Sequence, residues 1–236
     1  MTGTMSIAAV LDAYRSLAED IRATDTNDAA MKALTSACLR LVPDAAAAAV
    51  TSVNKDGYQT LAPTGDLAVD VDRIQFDVGS GPCIDAAEQQ TVFQTDDLRS
   101  DERWPEFGRR AAEETGVLSM LAFRLFLEDD EQPAALNLYS TKPEAFDEIA
   151  QMTGLAAATY GAELITSRRR HIEVAQLKQA VRTNRDIGAA IGVVMARYNA
   201  TRDQAFDLLR MASQNSHRKL VDVAADVLDT GIVELR

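Results

Sequence analysis

The residues with the clearest chemistry lie in the last third of the chain. Arg182, Arg185, Arg197, Arg202, Arg210, Arg218 and Lys219 lie in or close beside Arg185–Arg197 (RDIGAAIGVVMAR), Gln204–Arg210 (QAFDLLR) and Ser213–Ala224 (SQNSHRKLVDVA). Guanidinium and ammonium groups spaced along short amphipathic helices suit the phosphates of a polyanion, and Ser213 and His217 add polar groups beside Arg218 and Lys219. Asp186, Asp203 and Asp207 lie at helix spacing from several of these arginines, so some are expected to pair within the chain. Tyr198 is placed either to stack on a splayed base or to close the helical bundle.

Charge supports the same division. Residues 1–166 hold 12 Lys+Arg against 28 Asp+Glu, net −16, whereas residues 167–236 hold 12 against 8, net +4. The field that steers a charged partner is local, so a basic tail behind an acidic body points to a polyanion held by the tail and governed by the body.

The acidic body has two further candidates. Gly79 and Gly81 in Asp77–Ala86 (DVGSGPCIDA) could cradle a phosphate at a helix N-terminus. No Gly-Lys-Ser/Thr follows, and Asp77 and Asp85 would repel an anion, so a structural turn is favoured. Cys83 beside this turn could be an activated thiol, alone or with Cys38. Residues 1–170 contain no histidine to act as base, so idle, reduced thiols are expected. The missing histidines also count against a His-ligated haem or zinc centre, and no cofactor or metal is expected. Phe93, Trp104, Phe123 and Phe126 either line a ligand pocket or pack the core.

These residues need elements to position them. With 236 residues, 47% of them apolar, the chain can bury two modest cores. Helices are expected at Met5–Arg22 and at Thr26–Leu41, the latter capped by Thr26 or Asn27 and stopped by Pro43. Ala45–Val53 and Tyr58–Leu61 read as strands about the turn Asn54-Lys55-Asp56-Gly57. A helix follows the glycine turn to Gln89, with a short strand at Thr91–Gln94 and a helix from Arg103-Trp104-Pro105 to Thr115. Leu118–Leu127 and Ala134–Tyr139 read as strands about the acidic turn Glu128–Gln132. A helix runs from near Pro143 to Thr166, and Arg168-Arg169-Arg170 marks a junction, either a solvated surface or a further polyanion contact. Beyond it Val174, Leu177, Val181, Asn184, Gly188, Ile191 and Met195 form a 3–4 stripe suited to a coiled-coil dimer, with Asn184 as a register pin. The second tail helix is expected to bury Ala205, Phe206, Leu208 and Leu209, and the third Leu220, Val223, Ala224 and Val227. Strands mixed with flanking helices, without regular alternation, indicate an α+β class.

Residues Glu173–Thr230 resemble the ANTAR domain in Ile187, Ala190, Gly192, Met195-Ala196-Arg197, Ala205-Phe206, Leu209, Ser213, Lys219-Leu220 and Val223-Ala224. Many relatives carry Lys where this chain has Ile191 and Asn where it has His217, so two plausible polar contacts are missing. The resemblance implies a three-helix module of transcription antitermination regulators that binds RNA. Residues from about Thr26 to Thr166 resemble a GAF domain in Gly79–Ala86, Asp97-Leu98, Arg103-Trp104-Pro105 and Leu136-Asn137-Leu138-Tyr139. This implies a GAF-like antiparallel sheet with flanking helices that senses a small ligand or serves as a scaffold.

The chain is thus expected to comprise an N-terminal helix (1–25), a GAF-like sensor domain (26–166), a junction within a helical linker (167–172) and an ANTAR RNA-binding domain (173–236) that opens on a long helix. The expected function is a non-enzymatic regulator that binds RNA hairpins in nascent transcripts, through Arg182, Arg185, Arg197, Arg210, Ser213, His217, Arg218 and Lys219. Two other readings stand beside it: a GAF-type thiol reductase using Cys83 with Cys38, and a protein-interaction dimer. No membrane span or secretory leader is recognised, so a cytoplasmic homodimer is expected.

Overall fold

A computed structural model of the protein describes residues 7–54, 57–89, 92–127 and 133–234. Lys55 and Asp56 of the expected hairpin turn, Thr91, and the acidic turn Glu128–Gln132 lie outside the described residues. The chain divides into two compact units, Met1–Arg169 and Arg170–Arg236.

The first unit is built on five antiparallel strands: β1 (Ala47–Asn54), β2 (Gly57–Leu61), β3 (Val92–Thr95), β4 (Ser119–Leu125) and β5 (Ala134–Ser140), in the order β2-β1-β5-β4-β3. β1 pairs with β2 in the register Val50 to Leu61 and with β5 in the register Ala49 to Asn137, and β4 pairs Ala122 with Asn137. Because side chains alternate across a strand, each strand serves two cores. Ala48, Val50, Leu121, Phe123, Leu136 and Leu138 face one of them, with α1 (Ile7–Arg22), α2 (Asn27–Leu41) and the first part of α6 (Glu148–Tyr198). Ala47, Ala49, Met120, Ala122, Ala135 and Tyr139 face the other, with α3 (Asp66–Val78), α4 (Pro82–Gln89) and α5 (Pro105–Thr115).

Thr26 caps α2 by accepting the Ala29 N–H at 3.2 Å, as its sequence suggests. Of the apolar stripe of α1, Leu17 and Ile21 are buried, but Leu11 faces outward. Helix α3 is absent from the sequence reading because its buried face is mixed: Ala68, Val71 and Ile74 share it with Asp72 and Gln75, which breaks the apolar period. Helix α6 begins at Glu148 rather than near Pro143, where Asp147 Oδ1 accepts the Ala150 N–H at 2.8 Å. It then runs 51 residues without a break, and residues 167–172 lie within it. Arginines are good helix formers, and nothing between Ser167 and Ile172 interrupts the backbone ladder. Arg168 is not a solvated surface residue. Its Nε donates to the Thr24 carbonyl at 2.8 Å and its Nη1 to Asn27 Oδ1 at 3.2 Å, tying α6 to the α1–α2 turn.

Two glycines let α6 approach closely. A Cβ at Gly154 would lie 2.6 Å from the Phe123 ring, and one at Gly161 would lie 2.5 Å from Leu34. In the second core, Asp72 is fully buried. Its carboxylate accepts hydrogen bonds from Thr60 Oγ1 at 2.9 Å, from Thr51 Oγ1 at 3.1 Å, from Gln75 Nε2 at 3.4 Å and from the Tyr139 hydroxyl. Burial pushes its pKa up to about 6, and the hydrogen bonds from Tyr139, Thr60 and Thr51 only partly offset that.

Two outcomes follow from this packing. Gly154→Ala normally favours a helix interior, yet here the methyl must displace a buried aromatic ring. Chemical denaturation should show a loss of roughly 1–3 kcal/mol, the range for overpacking; a gain of stability would refute the close approach. Asp72 holds its proton more tightly folded (pKa about 6) than unfolded (3.8). The stabilisation this gives is complete below about pH 4 and is lost as pH rises through about 6. Asp72→Asn removes that loss. Between pH 4 and pH 8 the stability difference should move in favour of the variant by roughly 2–3 kcal/mol, and parallel pH curves for the two proteins would contradict it.

Candidate functional site

The second unit packs the end of α6, α7 (Arg202–Ser216) and α8 (Leu220–Thr230) around Ala190, Ile191, Val194, Ala205, Leu209, Ala212, Val223, Ala224 and Val227. A capping box starts α7: the Gln204 N–H donates to Thr201 Oγ1 at 3.3 Å, and the Thr201 N–H to Gln204 Oε1 at 3.0 Å. Phe206, expected in the core, is 39% exposed, because Ala205 and Leu209 already take the inward positions of α7. Ile191 is buried in the core.

The eight RNA-contact candidates serve several different roles. Ser213 and His217 shape the α7–α8 turn. His217 closes α7 in the left-handed conformation at φ 53°, the Arg218 N–H donates to the Ser213 carbonyl at 3.2 Å, and Ser213 Oγ donates to the Arg218 carbonyl at 2.6 Å. Asn and His both tolerate that backbone region, so the requirement at position 217 is conformational. Lys219 is the N-cap residue of α8 and is exposed.

Arg218 points into a cleft of about 440 Å³ lined by Asp226, Asp229 and Glu234, and its guanidinium bonds to Asp226. That bond holds the Asp226 carboxyl below its usual range. Arg210 pairs with Asp207 at 2.9 Å, and Arg185 with the adjacent Asp186 at 3.3 Å. Arg182, Arg197 and Arg202 make no ion pair among the described residues, although Arg197 Nη1 lies close over Gly231. Tyr198 accepts the Val233 N–H on its hydroxyl at 3.4 Å, so it braces the C-terminal segment while remaining 45% exposed. The 3–4 stripe divides: Val174, Leu177 and Val181 are 50%, 66% and 61% exposed, whereas Ile191 is buried within the bundle.

In the first unit the glycine turn is structural. Gly79 closes α3 in the left-handed conformation at φ 70°. The Gln75 side chain fills the space a Cβ at Gly81 would need, and its Oε1 accepts the Cys83 N–H at 3.0 Å. A backbone donor that could have met an anion is therefore taken. Asp85 accepts the Trp104 Nε1–H at 2.9 Å.

Cys38 lies in the core with α1, α2 and α6, and Cys83 in the core on the opposite face of the sheet. They cannot act as a redox pair across that sheet. Burial pushes Cys38 up to about 12 and Cys83 well above the usual thiol range, which leaves both as poor nucleophiles. The four aromatics do not share a pocket either. Phe123 packs in the first core, Trp104 packs in the second against Phe93, and Phe126 is 61% exposed. Among the described residues no His/Cys/Asp/Glu group is placed to hold a metal. No helix among them is long and apolar enough to cross a membrane. The sequence reading missed the polar cluster around Asp72, and the one available signal was the short threonine- and asparagine-bearing strands.

Residues 175–228 match the ANTAR domain and residues 24–166 match the GAF domain. No curated protein sequence matches the chain significantly. Among solved structures the chain is similar in fold to the GAF domain of a phosphoenolpyruvate-protein phosphotransferase from Coxiella burnetii, at 16% identity and TM-score 0.53, covering 71% of this chain and 98% of that one. The corresponding Acinetobacter domain gives 12% identity and TM-score 0.53, covering 70% and 97%. The N-acylhomoserine lactone-dependent LuxR-family factor CepR2 of Burkholderia cenocepacia gives 14% identity and TM-score 0.54, covering 70% and 99%. At these identities the likeness is one of fold. With more than half its length matched, the chain belongs to the GAF family, and it carries an ANTAR domain behind its GAF domain.

Proposed function

We propose that the protein is a non-enzymatic regulator of transcription antitermination in the cytoplasm, whose ANTAR domain binds RNA hairpins in nascent transcripts and whose GAF domain senses a small ligand or acts as a scaffold. The carrying observation is an ANTAR domain within residues 167–236, net +4, behind residues 1–166, net −16. Hairpin loops expose bases that helices can read while arginines hold the phosphates. Within the second unit, the arrangement favours the α6 side. Arg182 is unpaired among the described residues, and Arg185 meets only its chain neighbour in a weak exposed pair. Arg218 is the least suited of the candidates, because three carboxylates line its cleft.

A second reading concerns assembly. Val174, Leu177 and Val181 expose an apolar stripe on α6 at 3–4 spacing, which suits a parallel homodimer seam.

RNA binding by the full chain should weaken with salt, with a log–log slope of about −3 to −4 for roughly four neutralised phosphates. Arg182→Ala and Arg185→Ala should each reduce the magnitude of that slope by ~1, whereas Arg218→Ala should leave it nearly unchanged. A salt-independent affinity would remove the electrostatic reading, and a larger effect at Arg218 would move the RNA face to the α7–α8 turn. Leu177→Glu with Val181→Glu should give a monomer with a folded GAF domain. Light scattering that finds the native protein monomeric at ~50 μM, well above a micromolar constant, would eliminate the dimer.

A further inference from the structure

The first unit contains a cavity apart from the polar cluster around Asp72, and an inference from it rests on the ligand-sensing reading of the GAF domain. It lies on the α1, α2 and α6 side of the sheet, on the opposite face from Asp72. Its volume is about 380 Å³, at the lower end of the range for small-molecule sites. Val10, Leu41, Val42 and Ile149 supply apolar walls, and Leu41 and Val42 are themselves almost wholly buried. The rim is charged and unbalanced. Lys142 Nζ is committed to Asp44 at 2.8 Å. Asp147 uses Oδ1 to cap the first turn of α6. Glu144 makes no side-chain hydrogen bond or ion pair among the described residues. It is held at φ 51°, in the left-handed region, by its N–H donating to the Asp96 carbonyl at 2.7 Å. A non-glycine residue kept in that region marks a place worth inspecting for function.

We propose that this cavity binds a small organic amine: an alkyl or aryl body against the apolar walls, with its ammonium group at the rim between Glu144 and Asp147. With Asp44 and Lys142 neutralising each other, the rim presents two carboxylates and, among the described residues that line it, no unpaired cation. An ammonium headgroup is complementary to it, and a carboxylate or phosphate headgroup is repelled. The buried Leu41 and Val42 reward each methylene that reaches them, which separates this site from a simple surface counterion position. The ligand would touch Ile149, Ala150 and Thr153 in the first turns of α6, so it is suited to adjusting how that helix is held.

The test is calorimetric titration of the full-length protein with n-butylamine, n-hexylamine and n-octylamine, with 1-hexanol and hexanoate as headgroup controls. Saturable one-to-one binding should tighten up to about fourfold per methylene. Hexylamine should bind at least several-fold more tightly than hexanol, and hexanoate should bind least. Glu144→Gln should weaken hexylamine several-fold while leaving hexanol unchanged, and Ala150→Phe should fill the cavity and remove both. If Ala150→Phe fails to fold by circular dichroism, the selective loss in the surface variant Glu144→Gln decides the matter alone. Equal affinity for amine and alcohol, no effect of Glu144→Gln, or no saturation overturns the proposal. So does a native dimer that Ala150→Phe dissociates without any amine binding, which would assign the cavity to a second copy of the chain.

Discussion

The central sheet is covered on both faces, and most of the first unit follows from that constraint. Alternate residues of one strand enter different cores, so neighbours in sequence answer to different partners. Ala48 and Val50 meet α2 and α6, while Ala47, Ala49 and Thr51 meet α3 and α4. The small residues on the second face let two short helices lie close to the sheet, and that closeness leaves Asp72 without water. Four hydrogen bonds then become obligatory, because a buried carboxylate with missing donors would cost more than the fold can supply. The same sheet separates Cys38 from Cys83, which removes paired-thiol chemistry from two residues that the sequence alone permits to meet.

The second unit is governed by which charges are already satisfied within the chain. A helix surface that carries arginines and aspartates at three- and four-residue spacing forms local pairs, and each pair withdraws a cation from the field felt by a partner. Arg210 and Arg218 are withdrawn in this way, Arg218 more deeply because its cleft holds further carboxylates. Polar residues in the α7–α8 segment serve backbone geometry first. The left-handed residue His217 and the Ser213 hydroxyl turn the chain so that α8 can cover Val194 and Leu209.

Local rules made much of the fold legible in the sequence. The Thr26 cap and the strands β1, β2, β4 and β5 with the turns between them depend on a few neighbouring residues, and sequence reading finds such signals. Helix α3 was not legible, because its inward face pairs Val71 and Ile74 with Asp72 and Gln75. The polar residues look like a solvated face until Thr51, Thr60 and Tyr139 arrive from three other strands to meet them. The use of Arg168 was hidden too. A run of three arginines reads as a junction within a helix, and the two units divide beside it, but Arg168 is held by Thr24 and Asn27, more than 140 residues away in the chain.

The sequence by itself determined the α+β class, the order of the two domains, the uneven charge and the positions of the cationic side chains, because these depend on composition and on short-range periodicity. Tertiary structure decided which cations remain unpaired, that the two thiols lie on opposite faces of a sheet, that Asp72 is buried, and that an apolar cavity opens beside Glu144. Each of those depends on groups far apart in the chain, and burial and pairing set by packing are not encoded in any local window.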